Sequence, residues 1–368
     1  MMRVVSLLVR SVLYQSDAGE AEDVITSALS LTDLSAWDQW VAEHLPMASF
    51  VPSDFLSQMA SAGSIPWTEQ DIHGLIARLL MPELPAFGRN LLLYIGFGVT
   101  ASILHAINND RNHALPEGVL HMLGGCLVLT TTLPLLKDTA AMLRTVSQTA
   151  QIMLPGILSF LAAFDFSSSG AAVSEGIATV CGGVISAATG IILPLTLMGG
   201  VLYAMDGFGH DRLYPLGNAC LRIGRWLLRG GTGLYLAVQG IKSAVAVHGD
   251  SLLYRSAKLA AGGLPYIGGL ASGSFDTVLY GMLYIRSLLG VTGVCVVSIF
   301  MLRPALRILL SFLSVRMASI CVLPLGIDGY GRILNGMGEM LRLVLSLHIT
   351  VWIMLFAVFG LALGIWQM

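Results

Sequence analysis

Two carboxylates stand in surroundings too apolar for an ordinary acid. Asp165 follows the run Ile157–Phe164, and Asp276 lies inside the oily stretch from Ser256 to Phe300. A carboxylate at the centre of a membrane helix costs roughly 2.5–3.5 kcal/mol on insertion scales, so it faces a cavity or a partner. One reading has each acid lining a hydrated path or pairing with an arginine such as Arg286. The other puts each in an interfacial loop, which Ser167-Ser168-Ser169-Gly170 and Ser272-Gly273-Ser274 would suit. A basic constellation follows a different rule. Arg222, Arg225 and Arg229 fall at i, i+3 and i+7 and share one helical face. With Leu221, Trp226, Leu227 and Leu228 on the other faces, they read as an interfacial helix on the cytoplasmic side.

No further chemistry is legible. The chain has no GxxxxGK[ST] phosphate loop, no HExxH, no GxSxG and no GxGxxG after a strand. The cysteines at 126, 181, 220, 295 and 321 lie far apart and read as small apolar residues in helices. No cysteine or histidine pair has zinc-ligand spacing. The expectation is a protein that is not an enzyme and carries no cofactor or metal. Any energised transport would need a separate ATPase.

The elements that position these residues belong to a membrane protein. Apolar residues make up 55% and charged residues 11%, against roughly 45–50% and 25% in soluble domains. Mean hydropathy is +0.77. The net charge of -2 suggests no nucleic-acid partner. Apolar segments begin at Leu91–Ile107 and Gly118–Leu136, each near the length of about 20 residues that a crossing needs. Gln151–Phe164 is too short to span alone, so it is re-entrant or joins its neighbours. Ala171–Met205 is too long for one straight span and should bend or split near Gly190, Gly199, Gly200 and Pro194. The organising stretch from Ser256 to Phe300 is broken near its start by Pro265 and closed by Pro304. Ala305–Leu325 carries Arg307 and Arg316, so one of its faces should lie against protein or water. Leu341–Trp366 is the clearest crossing. The fold class expected is all-α, a polytopic integral membrane protein with about seven transmembrane helices, some broken by proline or glycine.

The N-terminal part differs in composition. Residues 1–15 read as a signal remnant or an amphipathic start. Residues 16–88 are acidic, with no lysine or arginine from Ser11 to Ala77, which suits the outer side of a membrane. Leu34, Trp37, Val41 and Leu45 share one helical face, and Ile72, Leu75, Ile76 and Leu79 another. Residues 89–368 form the transmembrane domain.

An internal two-fold repeat is visible at an offset of 110. Leu154-Pro155-Gly156-Ile157 aligns with Leu264-Pro265-Tyr266-Ile267, and Pro194 with Pro304. Phe164-Asp165 aligns with Phe275-Asp276 after one inserted residue. The repeat units would be 148–230 and 258–340. Proteins that move solutes are often built from two such halves with broken helices. Pro155, Asp165, Pro194, Pro265, Gly268, Gly269, Asp276 and Pro304 are therefore the candidate path and hinge residues. Gly269 with Gly273, and Gly360 with Gly364, have the GxxxG spacing of helix packing.

Several runs together carry a family resemblance: Ala257-Lys258; Gly263-Leu264-Pro265-Tyr266-Ile267-Gly268-Gly269; Phe275-Asp276-Thr277-Val278; and Ile285-Arg286-Ser287-Leu288-Leu289-Gly290-Val291-Thr292-Gly293. The chain resembles the stage III sporulation protein AE family, best from about Ile152 onward and least before Leu91. The resemblance implies a multi-pass protein of the mother-cell membrane around the engulfed forespore. It implies a membrane part of a secretion-like channel joining the two cells. The implied partners are the other stage III sporulation A proteins, including a cytoplasmic ATPase, and the forespore protein SpoIIQ. A stand-alone secondary transporter and a non-conducting scaffold for the channel rings are the alternatives.

Overall fold

The structure is a computed structural model. It describes residues 35–44, 51–62, 69–107, 114–164, 181–206, 213–262 and 268–362, with the backbone path alone over 147–164, 239–262 and 268–290 and at several helix ends, 114–117 and 358–362 among them. No strand occurs among the described residues. Three short helices come first: α1 (Ser35–His44), α2 (Pro52–Ala62) and α3 (Glu69–Leu80). Six longer ones follow: α4 (Leu84–Ile107), α5 (Ala114–Phe164), α6 (Cys181–Ala204), α7 (Leu213–Gly262), α8 (Gly268–Val322) and α9 (Asp328–Ala362).

Five of these helices contain segments long and apolar enough to cross a membrane: Leu84–Ile107, Gly118–Val146, Cys181–Ala204, Val291–Leu325 and Asp328–Ala357. The expected number was about seven; the described residues hold five. Residues 147–164, 239–262 and 268–290 do not enter that number, and elsewhere apolar segments fuse. Gln151–Phe164 does not stand alone but continues α5, a helix of 51 residues. Pro304 does not close the organising stretch either. It lies inside α8, which runs on for 55 residues. An interior proline frees a carbonyl one turn earlier, and a neighbouring helix can satisfy it. For Pro304 that carbonyl belongs to Phe300; at the next residue the buried His348 of α9 donates from Nε2 to the Met301 carbonyl at 2.9 Å. The bend expected between Ala171 and Met205 takes the form of a π-turn at Ala188–Ile192, from which α6 resumes with Pro194 in its next turn.

The core is organised around α9. Its buried residues include Tyr330, Leu334, Met337, Leu341, Val344, His348, Val351 and Leu355. Their spacing alternates four and three, the heptad seam of knobs-into-holes packing. Ile333, Met340, Leu347 and Met354 form a second buried row at steps of seven. One helix therefore has neighbours on two sides, α8 along one and α6 with α7 along the other. Between α8 and α9 the chain reverses through a 3-10 turn at Leu323–Leu325 and Gly326, whose φ of 77° is left-handed. Only glycine takes that conformation without strain.

Glycines set the close crossings. A Cβ on Gly199 would lie 3.2 Å from the Gly217 carbonyl, and one on Gly217 would lie 3.1 Å from the Gly199 carbonyl, so α6 and α7 meet backbone to backbone. A Cβ on Gly125 would collide with the Ala204 carbonyl, and one on Gly336 would stand 2.5 Å from the Tyr203 ring. In a bilayer, tight packing of this kind replaces the hydrophobic effect as the force between helices. The start of α7 is anchored by the buried Asp206, whose Oδ1 accepts from the Tyr214 N–H at 2.9 Å.

Two groups of helices are offset along the α8–α9 hairpin. α4 and the first part of α5 flank the half that ends at the Gly326 turn. The Ser102 hydroxyl donates to the Leu325 carbonyl at 3.0 Å, and Tyr94 bonds Thr131 across the α4–α5 contact. α6 and the first half of α7 reach further the other way, where the Tyr235 hydroxyl donates to the Met354 carbonyl at 2.8 Å. α9 has 35 residues, about 52 Å at 1.5 Å per residue. That exceeds the roughly 30 Å of a hydrocarbon core, which accommodates the offset.

Candidate functional site

The charged residues of the helical bundle converge at two places. The first is Glu339 on α9. Arg225 of α7 donates from Nη1 to Glu339 Oε2 at 3.0 Å. Arg316 of α8 donates from Nη2 to Glu339 Oε1 and from Nη1 to Asn335 Oδ1, the latter at 3.1 Å. Arg342 lies 3.8 Å from the same carboxylate, one turn along α9. The Arg316 guanidinium also stacks 5.7 Å from the Phe312 ring centre. A Cβ on Gly338 would lie 3.1 Å from Arg316 Nε, so a glycine makes room for the arginine to cross α9.

The depth of this cluster is unusual for charge. Arg316 stands nine residues after Arg307 and nine before Leu325, about 14 Å from each by helical rise. It thus lies halfway along the part of α8 that α4 and α5 flank. Arg225, Arg316 and Glu339 retain side-chain exposures of 34%, 30% and 29%. Three guanidiniums around one carboxylate give the cluster a net positive charge, and it ties α7, α8 and α9 together. Intramembrane charges of this kind are conventionally paired and face a bundle interior.

The second place is the start of α4. Glu83, 9% exposed, lies 3.7 Å from both Arg303 and Arg307 of α8. Arg307 also donates to Asp138 of α5 at 2.6 Å. Glu83 and Arg307 border a cavity of about 250 Å³ between α4, α5 and α8.

The expected site residues are distributed differently. Among the described residues, Arg222 and Arg229 are exposed while Arg225, one turn from each, turns inward to Glu339. Pro194 is exposed on α6. Pro155 lies within the continuous α5 backbone, and Gly268 and Gly269 open α8. Asp276 stands in a helix rather than a loop, nine residues into α8. Asp165 and Pro265 lie outside the described residues, and with them parts of both repeat units. Arg307 and Arg316 do face protein, as an arginine in an apolar helix must. Sequence reasoning missed their partners Glu83, Asp138 and Glu339. The available signal was the presence of single acids and bases in otherwise apolar helices. All five cysteines lie in helices, with Cys181 and Cys220 buried.

An all-helical architecture with several apolar, glycine-packed helices and charges neutralised between them defines a polytopic membrane protein. The sequence model of the stage III sporulation protein AE family matches residues 51–365, and the chain belongs to that family. No curated protein and no solved structure matches it.

Proposed function

We infer that this chain is a membrane component of the secretion-like channel that links the mother cell to the engulfed forespore, and that forespore development after engulfment requires it. The family match over residues 51–365 carries this reading. The apolar helices support a place in the mother-cell membrane. Its partners are the other stage III sporulation A proteins, with a separate cytoplasmic ATPase supplying energy, and SpoIIQ from the forespore side. The chain itself performs no chemistry; it forms part of the channel's base. A scaffold that conducts nothing is the second reading. The double engagement of Glu339 by Arg225 and Arg316 favours it, because a charge tied to two helices resists gating.

The test is made in the native spore former, scoring heat-resistant spores. Deletion should block development after engulfment, and the restored wild type should recover it. Normal sporulation in the deletion strain overturns the assignment. Glu339→Gln and Asp276→Asn, each checked for protein level in the membrane fraction, separate the two readings. Loss of spores at normal protein level supports a polar path; full sporulation in both supports the scaffold.

A further inference from the structure

The cavity at the start of α4 gathers more polar groups than the ion pairs around Glu83 use. Arg89 and Asn90 of α4, Thr130 and Thr131 of α5, and Arg307 of α8 line it, with Glu83 at one wall. Phe87, Leu135 and Leu310 supply apolar wall beside them. Thr130, Thr131, Glu83 and Arg307 already have partners within the protein. Arg89 and Asn90 show none among the described residues. A guanidinium carries five N–H donors and a carboxamide two, so two adjacent residues present seven donors to one cavity.

The position of the cavity narrows what those donors meet. Beyond it, residues 90–107 of α4 and 118–136 of α5 contain no Asp, Glu, Lys or Arg. These charge-free runs are close to the length of a bilayer's hydrocarbon core. Glu83, Arg89, Lys137, Asp138, Arg303 and Arg307 all fall at one end of them, two acids against four bases. A net positive ring at the end of charge-free helices stands at headgroup level, where basic pockets between helices receive anionic lipid. Met81, Leu84 and Leu92, near Arg89 and Asn90 in the chain, are exposed and offer an apolar surface for acyl chains.

We propose that the cavity between α4, α5 and α8 binds the phosphodiester headgroup of an anionic phospholipid, with Arg89 and Asn90 as its principal donors. The cavity of about 250 Å³ accommodates a phosphate with its glycerol and remains open to the apolar flank. Arg307, held by Glu83 and Asp138, adds positive charge from the rear wall. This assignment does not depend on what the channel carries.

The full chain, purified in neutral detergent, is titrated with phosphatidylglycerol or phosphatidylcholine, and lipid-bound species are counted by native mass spectrometry. Phosphatidylglycerol should bind at least about tenfold more tightly, the effect of one or two charge-assisted hydrogen bonds. Arg89→Gln and Asn90→Ala should each lower its retention, Arg89→Gln by about tenfold, while Arg222→Gln on α7 should leave it unchanged. Arg89 is exposed and makes no ion pair among the described residues, so its replacement should leave the bundle intact. Equal binding of the two lipids overturns the proposal, as does undiminished phosphatidylglycerol retention in both cavity variants. Displacement of the lipid by inorganic phosphate at matching concentration would assign the cavity to a free anion instead.

Discussion

Glu339 shows how one carboxylate can set the position of three helices. Removing its charge would leave Arg225 and Arg316 partly buried and facing each other's field. Fully buried pairs lose about 3–5 kcal/mol when one partner is removed, and exposed pairs about 0–1. With roughly a third of each side chain exposed, Glu339→Gln should cost about 1–3 kcal/mol by the same scale. In a double-mutant cycle with Arg225→Gln, read from the melting temperature of the purified protein, the coupling should be about 1 kcal/mol. Strict additivity would mean that the contact contributes nothing and that the helices are held by packing alone.

At the scale of elements, the instructive case is the pair His348 and Pro304. Proline should have ended α8, and its helix nevertheless continues. The buried imidazole reaches across from α9 to the carbonyl of Met301, three residues before the proline. His348→Phe should therefore remove one buried hydrogen bond between α8 and α9, at a cost of about 1 kcal/mol. A restored N–H in Pro304→Ala pairs with the carbonyl of Phe300 and not with that of Met301, so the same substitution should cost about as much in that background. A markedly smaller cost there, by thermal melting, would show that the histidine contact exists to offset the proline. The glycine contacts act on the same scale. Gly199 and Gly217 allow α6 and α7 to approach until only backbone separates them.

For the whole molecule, the offset between the α4–α5 group and the α6–α7 group means that crossings are not in register. The membrane assignment of α4 can be checked directly. Met81 and Ile107 flank it and are 68% and 75% exposed. Single cysteines at these positions, in a cysteine-free background, should react with an impermeant maleimide from opposite faces of sealed vesicles. Labelling from the same face would remove α4 from the crossings and, with it, the headgroup-level position of the cavity.

The membrane class and the all-helical fold follow from composition and apolar run length, because lipid leaves the backbone few alternatives to the helix. The heptad rows of α9 were equally open to reading, since a buried helix face repeats at a spacing that the chain displays. That Arg307 and Arg316 face protein also followed from the sequence, because the cost of an unpaired charge in an apolar helix is local. Their partners were decided by the tertiary structure: Glu339 meets Arg225 across 114 positions of chain, and Arg307 meets Asp138 across 169. No local pattern encodes such distances. The number of crossings belonged to the tertiary structure as well. Whether a proline such as Pro304 ends a helix or is carried inside it depends on what packs around it, and that is a property of the folded bundle.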